Sequence, residues 1–392
     1  MLRRRLLVLL AALTSFGPMS MDLYLPGFPA IAERFGTDQS AVQLTFSAAL
    51  LGLGAGQVLW GPLSDRYGRR RPLLVGLAVF ITASLLIPWS PSLPIMVALR
   101  LVQTLGGAAG IVIARATVRD IYSGTELARA LSAIVTVFAL APVVAPVLGS
   151  LVLLVASWEW MFVLLAGFGA LCAAGVLLMP ETLPPDRRST HGLVGALQQY
   201  GDILRSGRFR LAAAVAALGS VALFAYISSS PAVFIEGYGI GQTAFALLFA
   251  GLALCFAVGA QVNLRLLRRY GVSALLRVSV ATQVVAALGV LTVALLTAPM
   301  AAMVVPLALA MMTVAGVNSN ALALALDPFP KSAGSAAALA GGIQQLTGGL
   351  AAALIAALAV APAVGMGLGM VPASVVSLAL LAAGAARTRR SG

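Results

Sequence analysis

A carboxylate at residue 22 and an arginine at residue 100 each interrupt a long apolar run. A charge at the centre of a membrane-spanning helix costs roughly 2.5–3.5 kcal/mol on insertion scales, and such residues usually serve ion pathways. Asp22 is the acidic residue that falls well inside a run, whereas Glu33, Asp38, Glu159 and Glu236 fall between runs on the outer side. A carboxyl that alternates between a dry and a wet setting holds a proton in one and releases it in the other. Asp22 is therefore a candidate proton carrier. The plainer reading is that it lies high enough to touch outside water and merely caps a neighbouring group. A rise of about 1.5 Å per residue puts Asp22 roughly 24 Å from the inner face and Arg100 roughly 9 Å below the outer face. In a core ~30 Å thick these depths nearly coincide, so both could line one cavity and couple electrostatically. The plainer reading of Arg100 is a snorkelling side chain near a helix end.

A second cluster lies between two apolar runs, at Gly61-Pro62-Leu63-Ser64-Asp65-Arg66-Tyr67-Gly68-Arg69-Arg70-Arg71. It fits the pattern G-x-L-x-D-R-x-G-R-R throughout. Gly61 lets two helices approach closely. Asp65 can accept from a helix N-terminus or an arginine. Gly68 permits a turn that a side chain would obstruct. Arg66 and Arg69 to Arg71 anchor the loop against an anionic leaflet. The cluster reads as a conformational gate; the plainer alternative is a basic loop that sets topology alone.

These residues must be carried on spanning helices. Hydrophobic residues make up 60% of the 392-residue chain and charged residues 9%, where a soluble domain carries about a quarter charged. Twelve runs are long enough to cross a bilayer, near 6–27, 42–63, 73–90, 94–114, 130–154, 160–179, 211–233, 243–263, 276–296, 301–325, 333–358 and 365–386. The net charge of +13 reports topology rather than nucleic acid. With both termini inside, every basic residue except Arg34 and Arg100 falls in or beside a cytoplasmic segment, which is the positive-inside pattern. Arg3 to Arg5 followed by an apolar stretch imitate a signal peptide, but no small-residue cleavage site follows, so an uncleaved first helix is expected.

Six runs precede the polar stretch from Glu181 to about Arg210, and six follow it. The expected division is residues 1–180 as one six-helix bundle, 181–210 as a cytoplasmic linker and 211–392 as a second bundle. Arg66-Tyr67-Gly68 recurs as Arg269-Tyr270-Gly271, 203 residues later. The expected fold is thus all-α, with twelve transmembrane helices in two bundles related by pseudo-twofold symmetry, a transporter design whose substrate site lies near the midplane. Other polar or aromatic residues inside runs are weaker cavity candidates: Tyr24, Gln57, Tyr226, Asn318 and Gln344, along with Asn263, Gln283, Asn320 and Gln345. Interhelical hydrogen bonding or packing explains each equally well.

Some classes of chemistry are excluded. His191 is the single histidine and lies in the polar linker, while Cys172 and Cys255 fall in separate spans, so no metal site is expected. No G-x-x-x-x-G-K-[ST] loop is present to cradle ATP. The energy source is then a gradient, and an intramembrane carboxylate points to protons.

The loop from Gly61 to Arg71 resembles the signature of the major facilitator superfamily. Ser20-Met21-Asp22-Leu23-Tyr24-Leu25-Pro26 resembles the first-helix motif of its drug:proton antiporters, closest to the bicyclomycin/chloramphenicol resistance (Bcr/CflA) branch. Arg100-Leu101-Val102-Gln103 resembles the fourth-helix motif, with Thr104 where the family commonly has glycine. Val118-Arg119-Asp120-Ile121-Tyr122 and Asp327-Pro328-Phe329-Pro330 fit the same branch. Ala145-Pro146-Val147-Leu148-Gly149-Ser150 resembles the fifth-helix antiporter motif G-P-x-x-G-G. It keeps Pro146 and Gly149, but Ala145 and Ser150 replace two glycines. The resemblance implies proton-coupled export of small amphipathic drugs, phenicol- or bicyclomycin-like, by a monomer in the bacterial cytoplasmic membrane. Beyond the proton gradient it implies no cofactor. Export or import of a small metabolite on the same fold stays open, since fold does not fix function. A membrane-embedded enzyme lacks a visible nucleophile–base pair or metal, and a non-transporting receptor would show no substrate flux.

Overall fold

The computed structural model describes residues 2–189, 192–330, 332–358 and 360–390; His191 and Lys331 lie outside them. Every regular element among the described residues is helical. The first half comprises α1 (Leu2–Thr14), α2 (Phe16–Asp22), α3 (Phe28–Phe35), α4 (Gln39–Tyr67), α5 (Arg70–Leu86), α6 (Leu93–Ile121), α7 (Gly124–Val155) and α8 (Glu159–Leu177). A short helix α9 (Gly192–Arg205) follows. The rest comprises α10 (Gly207–Pro231), α11 (Gln242–Leu267), α12 (Val272–Leu295), α13 (Met300–Leu326), α14 (Ala333–Ala357) and α15 (Pro362–Arg390).

Eleven of these helices are long and apolar enough to cross a membrane, and a bent pair at the start makes a twelfth if counted as one span. That first span is not the continuous helix its hydropathy suggests. It bends by 41° between Thr14 and Phe16. Pro18 is the physical reason: its ring removes the N–H that would bond the Thr14 carbonyl and crowds that carbonyl. Thr14 and Ser15 turn their hydroxyls back onto the carbonyls of Ala11 and Ala12, both at 2.7 Å. A second interruption follows at once. Leu25–Gly27, with Pro26 inside, forms a 3₁₀ turn before α3. Asp22 is the last residue of the short segment between the two breaks.

The weak point of the hydropathy pattern, near Ala298-Pro299, is a true turn. The α12 helix ends at Leu295 and α13 begins at Met300. Thr297 takes a positive φ of 47° there, an unusual geometry for a β-branched residue.

By its internal contacts the chain divides into two units, Met1–Thr37 with Ala48–Gln199, and Asp38–Ser47 with Tyr200–Gly392. One boundary falls within the polar stretch 181–210; the other two set the short segment Asp38–Ser47, from the expected first bundle, with the second unit. In the first unit α5 packs on α6 and α8, while α1 and α2 pack on α6 and α7. Phe16 fills the centre, with its ring 4.6 Å from Phe80 and 4.9 Å from Phe168. In the second unit α10 packs on α13, α14 and α15, and α12 packs on α13 and α15. Its core joins Val215 and Ala216 of α10 to Leu276 and Val280 of α12 and to Val317 and Ala321 of α13.

Candidate functional site

Small residues let other helices close around the broken first span. A Cβ on Gly149 of α7 would overlap the Leu23 carbonyl oxygen and lie 3.5 Å from Pro26. A Cβ on Gly110 of α6 would come within 2.7 Å of the Leu13 carbonyl oxygen. Close approach without a hydrophobic driving force is the usual reason for glycine at such positions in a bilayer. Pro146 lies inside α7 one turn before Gly149. Ala145 and Ser150 are both buried, and the Ser150 hydroxyl bonds the Val147 carbonyl at 2.9 Å.

Within this frame Asp22 is 3% exposed and Arg100 fully buried. They are not an ion pair. Arg100 Nη2 donates to the backbone carbonyl of Ser20 at 2.8 Å, and Nη1 donates to Gln103 Oε1. Its guanidinium stands 4.2 Å from the Tyr24 ring centre and 5.6 Å from that of Phe162, distances at which ring faces attract cations. Asp22 Oδ1 and Arg100 Nε are both buried without a hydrogen-bond partner. Tyr24, a candidate cavity residue, is thus buried beneath Arg100 and packs on Phe28 and Phe162 at 5.2 and 5.7 Å.

Two further residues belong to this site. Gln103 takes Arg100 on its oxygen and donates its amide to Ser84 Oγ at 2.7 Å. The i,i+3 spacing on α6 signals it, because residues three apart share a helix face. Ser84 gives no sequence signal. Thr104 is accommodated by a glycine opposite. Its hydroxyl bonds the Ala49 carbonyl of α4 at 2.7 Å, and a Cβ on Gly52 would lie 2.5 Å from that hydroxyl.

The loop between α4 and α5 forms a second, independent cluster. Arg69 is 6% exposed and reaches two carboxylates. Nη1 meets Asp65 Oδ1 at 2.5 Å and Nε meets Asp120 Oδ2 at 2.8 Å, while Nη1 also meets Ser64 Oγ at 2.9 Å. Burial opposes its charge, but Asp120 and Asp65 outweigh that and hold Arg69 above its ordinary value. Gly68 has a φ of +86°, and a Cβ there would overlap the Glu181 carboxylate. Glu181 accepts from the backbone N–H groups of Arg69 (2.8 Å) and Arg70 (3.2 Å), so an anion sits at the N-terminus of α5. It also accepts from Thr182 and Leu183, both at 3.0 Å. Burial pushes the Glu181 carboxyl up, yet these four amide donors outweigh it and hold it below its ordinary value. The Ser189 N–H closes the ring on the Asp65 carbonyl at 2.9 Å. Gly61 is half-buried inside α4, and a Cβ there would meet only Val112 at 3.9 Å, an ordinary contact, so the close helix approach expected of this glycine is not seen. Arg66 is exposed with its guanidinium 5.4 Å from the Tyr67 ring centre. The roles of Asp120 and Glu181 follow from tertiary contact, not from the loop's own spacing.

The second unit carries amides rather than charges. Asn320 Nδ2 donates to Asn263 Oδ1 at 2.8 Å, and Asn263 Nδ2 donates to Ser319 Oγ at 3.2 Å. Asn318 accepts from Ser220 Oγ at 3.0 Å, and Gln283 donates to the Gly219 carbonyl at 3.0 Å. Tyr226 is buried and stacks on Phe249 at 5.4 Å. Gln344, like Gln57 of the first unit, is half-buried. Among the cavity candidates, Asn318 is therefore engaged in an interhelical bond and Tyr226 in ring stacking.

Residues 8–352 match the family model described as Major Facilitator Superfamily. The chain belongs to that superfamily. It is 34% identical over 356 residues to an "Uncharacterized MFS-type transporter YdgK" of Bacillus subtilis (strain 168), covering 90% of this chain and 89% of the relative. It is 29% identical over 350 residues to a "Bicyclomycin resistance protein homolog" of Haemophilus influenzae, covering 89% and 88%. It is 31% identical over 366 residues to "Multidrug resistance protein D" of Escherichia coli (strain K12), covering 90% and 89%. These relatives support the bicyclomycin/chloramphenicol branch. Among solved structures, a D-xylose-proton symporter superposes with a TM-score of 0.73 at 14% identity, covering 95% of this chain and 96% of that one. At that identity the likeness shows the fold. The molecule is a multi-pass membrane transporter of a small-molecule substrate, not an enzyme.

Proposed function

We propose that this transporter exports small amphipathic drugs in exchange for protons by alternating access, and that Asp22 carries the proton. The observation that carries this reading is the setting of Asp22. It is a buried carboxyl between two helix breaks, one of its oxygens has no partner, and no ion pair reaches it among the described residues. A carboxylate locked to a cation would stay an anion; Asp22 is not so locked. Arg100 bonds the backbone two residues before Asp22 and spends its Nη donors on the Ser20 carbonyl and Gln103. Its guanidinium keeps its charge at any working pH.

The cluster of Asp65, Arg69, Asp120 and Glu181 suits a gate. It joins three chain segments through hydrogen bonds that can break together, whereas an apolar contact would lose its area gradually. The relatives named for bicyclomycin and multidrug resistance favour drugs as the cargo. The topology consistent with the arginine distribution puts both termini in the cytoplasm of a bacterial inner membrane.

A susceptibility panel in an efflux-deficient bacterium tests the cargo. Expression of the chain is expected to raise resistance to phenicol- or bicyclomycin-like compounds. Unchanged resistance across the panel, with protein present in the membrane, would favour the metabolite carrier instead. A pH gradient of known direction imposed on vesicles then separates exchange from cotransport, since exchange moves drug against the proton flow and cotransport moves it with the proton flow.

A further inference from the structure

Helix α9 ends at Arg205 and the spanning helix α10 begins at Gly207. The single residue between them, Ser206, is extended (φ −68°, ψ 116°) and caps α10 by accepting from the Phe209 N–H. The end of α9 is therefore held at a membrane boundary. Its sides differ sharply. Tyr200 and Ile203 are buried at 6% and 1% exposure, whereas Leu197 and Leu204 are 62% and 40% exposed. At about 100° per residue, Leu197 and Leu204 lie within about 20° of each other and about 80° from the centre of the buried stripe. Gln198, Gln199 and Asp202 occupy the remaining sector and are exposed. The helix thus rests one side on protein, offers a leucine flank beside it and turns its polar side away.

Arginines gather where α9 meets α10. Arg205, Arg208 and Arg210 are all exposed. Arg205 is paired with Asp202 at 3.0 Å, and both side chains are largely in solvent. Arg210 Nη1 donates to the Leu204 carbonyl at 3.4 Å. Apolar side chains beside a basic rim, at a membrane boundary, match the chemistry of helices that lie in the headgroup layer. Clustered arginines there attract anionic headgroups over about a Debye length.

We infer that α9 is an interfacial helix of the cytoplasmic leaflet: Leu197 and Leu204 enter the acyl boundary, and Arg205, Arg208 and Arg210 bind anionic phospholipid headgroups. The side assigned rests on the arginine topology; the contact with lipid rests on α9 itself and is independent of the cargo.

The test uses the full chain carrying Cys172→Ala and Cys255→Ala, with one new cysteine at Leu197→Cys or Gln198→Cys, labelled with bimane. The protein is placed in nanodiscs, whose two faces are both open to buffer, with or without phosphatidylglycerol in phosphatidylcholine. The label at 197 is expected to be blue-shifted, quenched by brominated acyl chains and shielded from iodide, more so with phosphatidylglycerol. The label at 198 is expected to behave in the opposite way. Removing the basic rim with R205Q, R208Q and R210Q together should abolish the phosphatidylglycerol effect. If Leu197→Cys does not fold, Leu204→Cys reads the same flank. Equal iodide access at 197 and 198 would overturn the proposal, as would a flank occupied by a protein partner, which leaves the 197 label in water in these discs. A lipid response that ignores phosphatidylglycerol with the arginines intact would overturn the headgroup assignment.

Discussion

Arg100 Nη2 donates to the carbonyl oxygen of Ser20 at 2.8 Å, so the cation of α6 is fastened to the backbone of α2 two residues before Asp22. The bond holds the first span where two helix breaks leave it least self-supporting. Removing the guanidinium leaves a buried carbonyl and the Gln103 amide oxygen without their donor, at about 1–3 kcal/mol for each unsatisfied group. Arg100→Ala is expected to lower the melting temperature in detergent clearly. Arg100→Lys should recover only part of the loss, because one ammonium cannot reach both acceptors and lie flat on Tyr24. A lysine variant as stable as the parent would show that charge alone matters here.

Arg69 lies between Asp65 and Asp120 at 2.5 and 2.8 Å. Asp65→Asn and Asp120→Asn should each slow transport while leaving drug binding largely intact, since both carboxylates lie in the last turns of α4 and α6, at the ends of their spans. The double variant should lose less than the sum of the singles, because both act through one arginine. Strict additivity in a transport-rate cycle would mean that the two carboxylates act separately.

Gly149 has no room for a side chain against Leu23, whereas Gly167 of α8 faces open space. Gly149→Ala is expected to cost about 1–3 kcal/mol or more by overpacking. Gly167→Ala should be nearly silent. Thermal melts of the two variants, side by side, check the contrast.

Glu181 gives a pH signature. Its folded carboxyl lies below the ordinary value of 4.5 because four amide donors outweigh burial. A depressed folded value means that its contribution is complete above the ordinary value and is lost as the pH falls through the lowered one. Glu181→Gln should therefore melt below the parent by a constant margin above pH 4.5, with the margin closing in more acid buffer. A margin that widens on acidification would reverse the sign and refute the assignment.

The spans and the loop cluster were legible because bilayer thickness and the positive-inside pattern leave a strong imprint on composition. Asp22 and Arg100 were legible for the same reason: a charge in an apolar run is costly and conspicuous. Their mutual arrangement was not. Depth along two helices placed them level, but rotation and the Pro18 break decide that Arg100 meets the Ser20 carbonyl and the Tyr24 ring. Glu181 was visible only as the first residue of a polar stretch, since its partners are backbone amides 111 and 112 positions away. Asn318 read as a cavity residue or a helix-pairing residue with equal right, and only contact with Ser220 separates those roles.

The central claim is that Asp22 carries the proton. Drug-induced proton release from detergent-solubilised protein, measured in weak buffer with a pH-sensitive dye, tests it most directly. The parent should release protons when drug is added. Asp22→Asn should release none while still binding some drug, and Asp22→Glu should keep partial activity with a shifted pH optimum. Undiminished drug-induced release from Asp22→Asn would contradict the account and move the carrier to another residue.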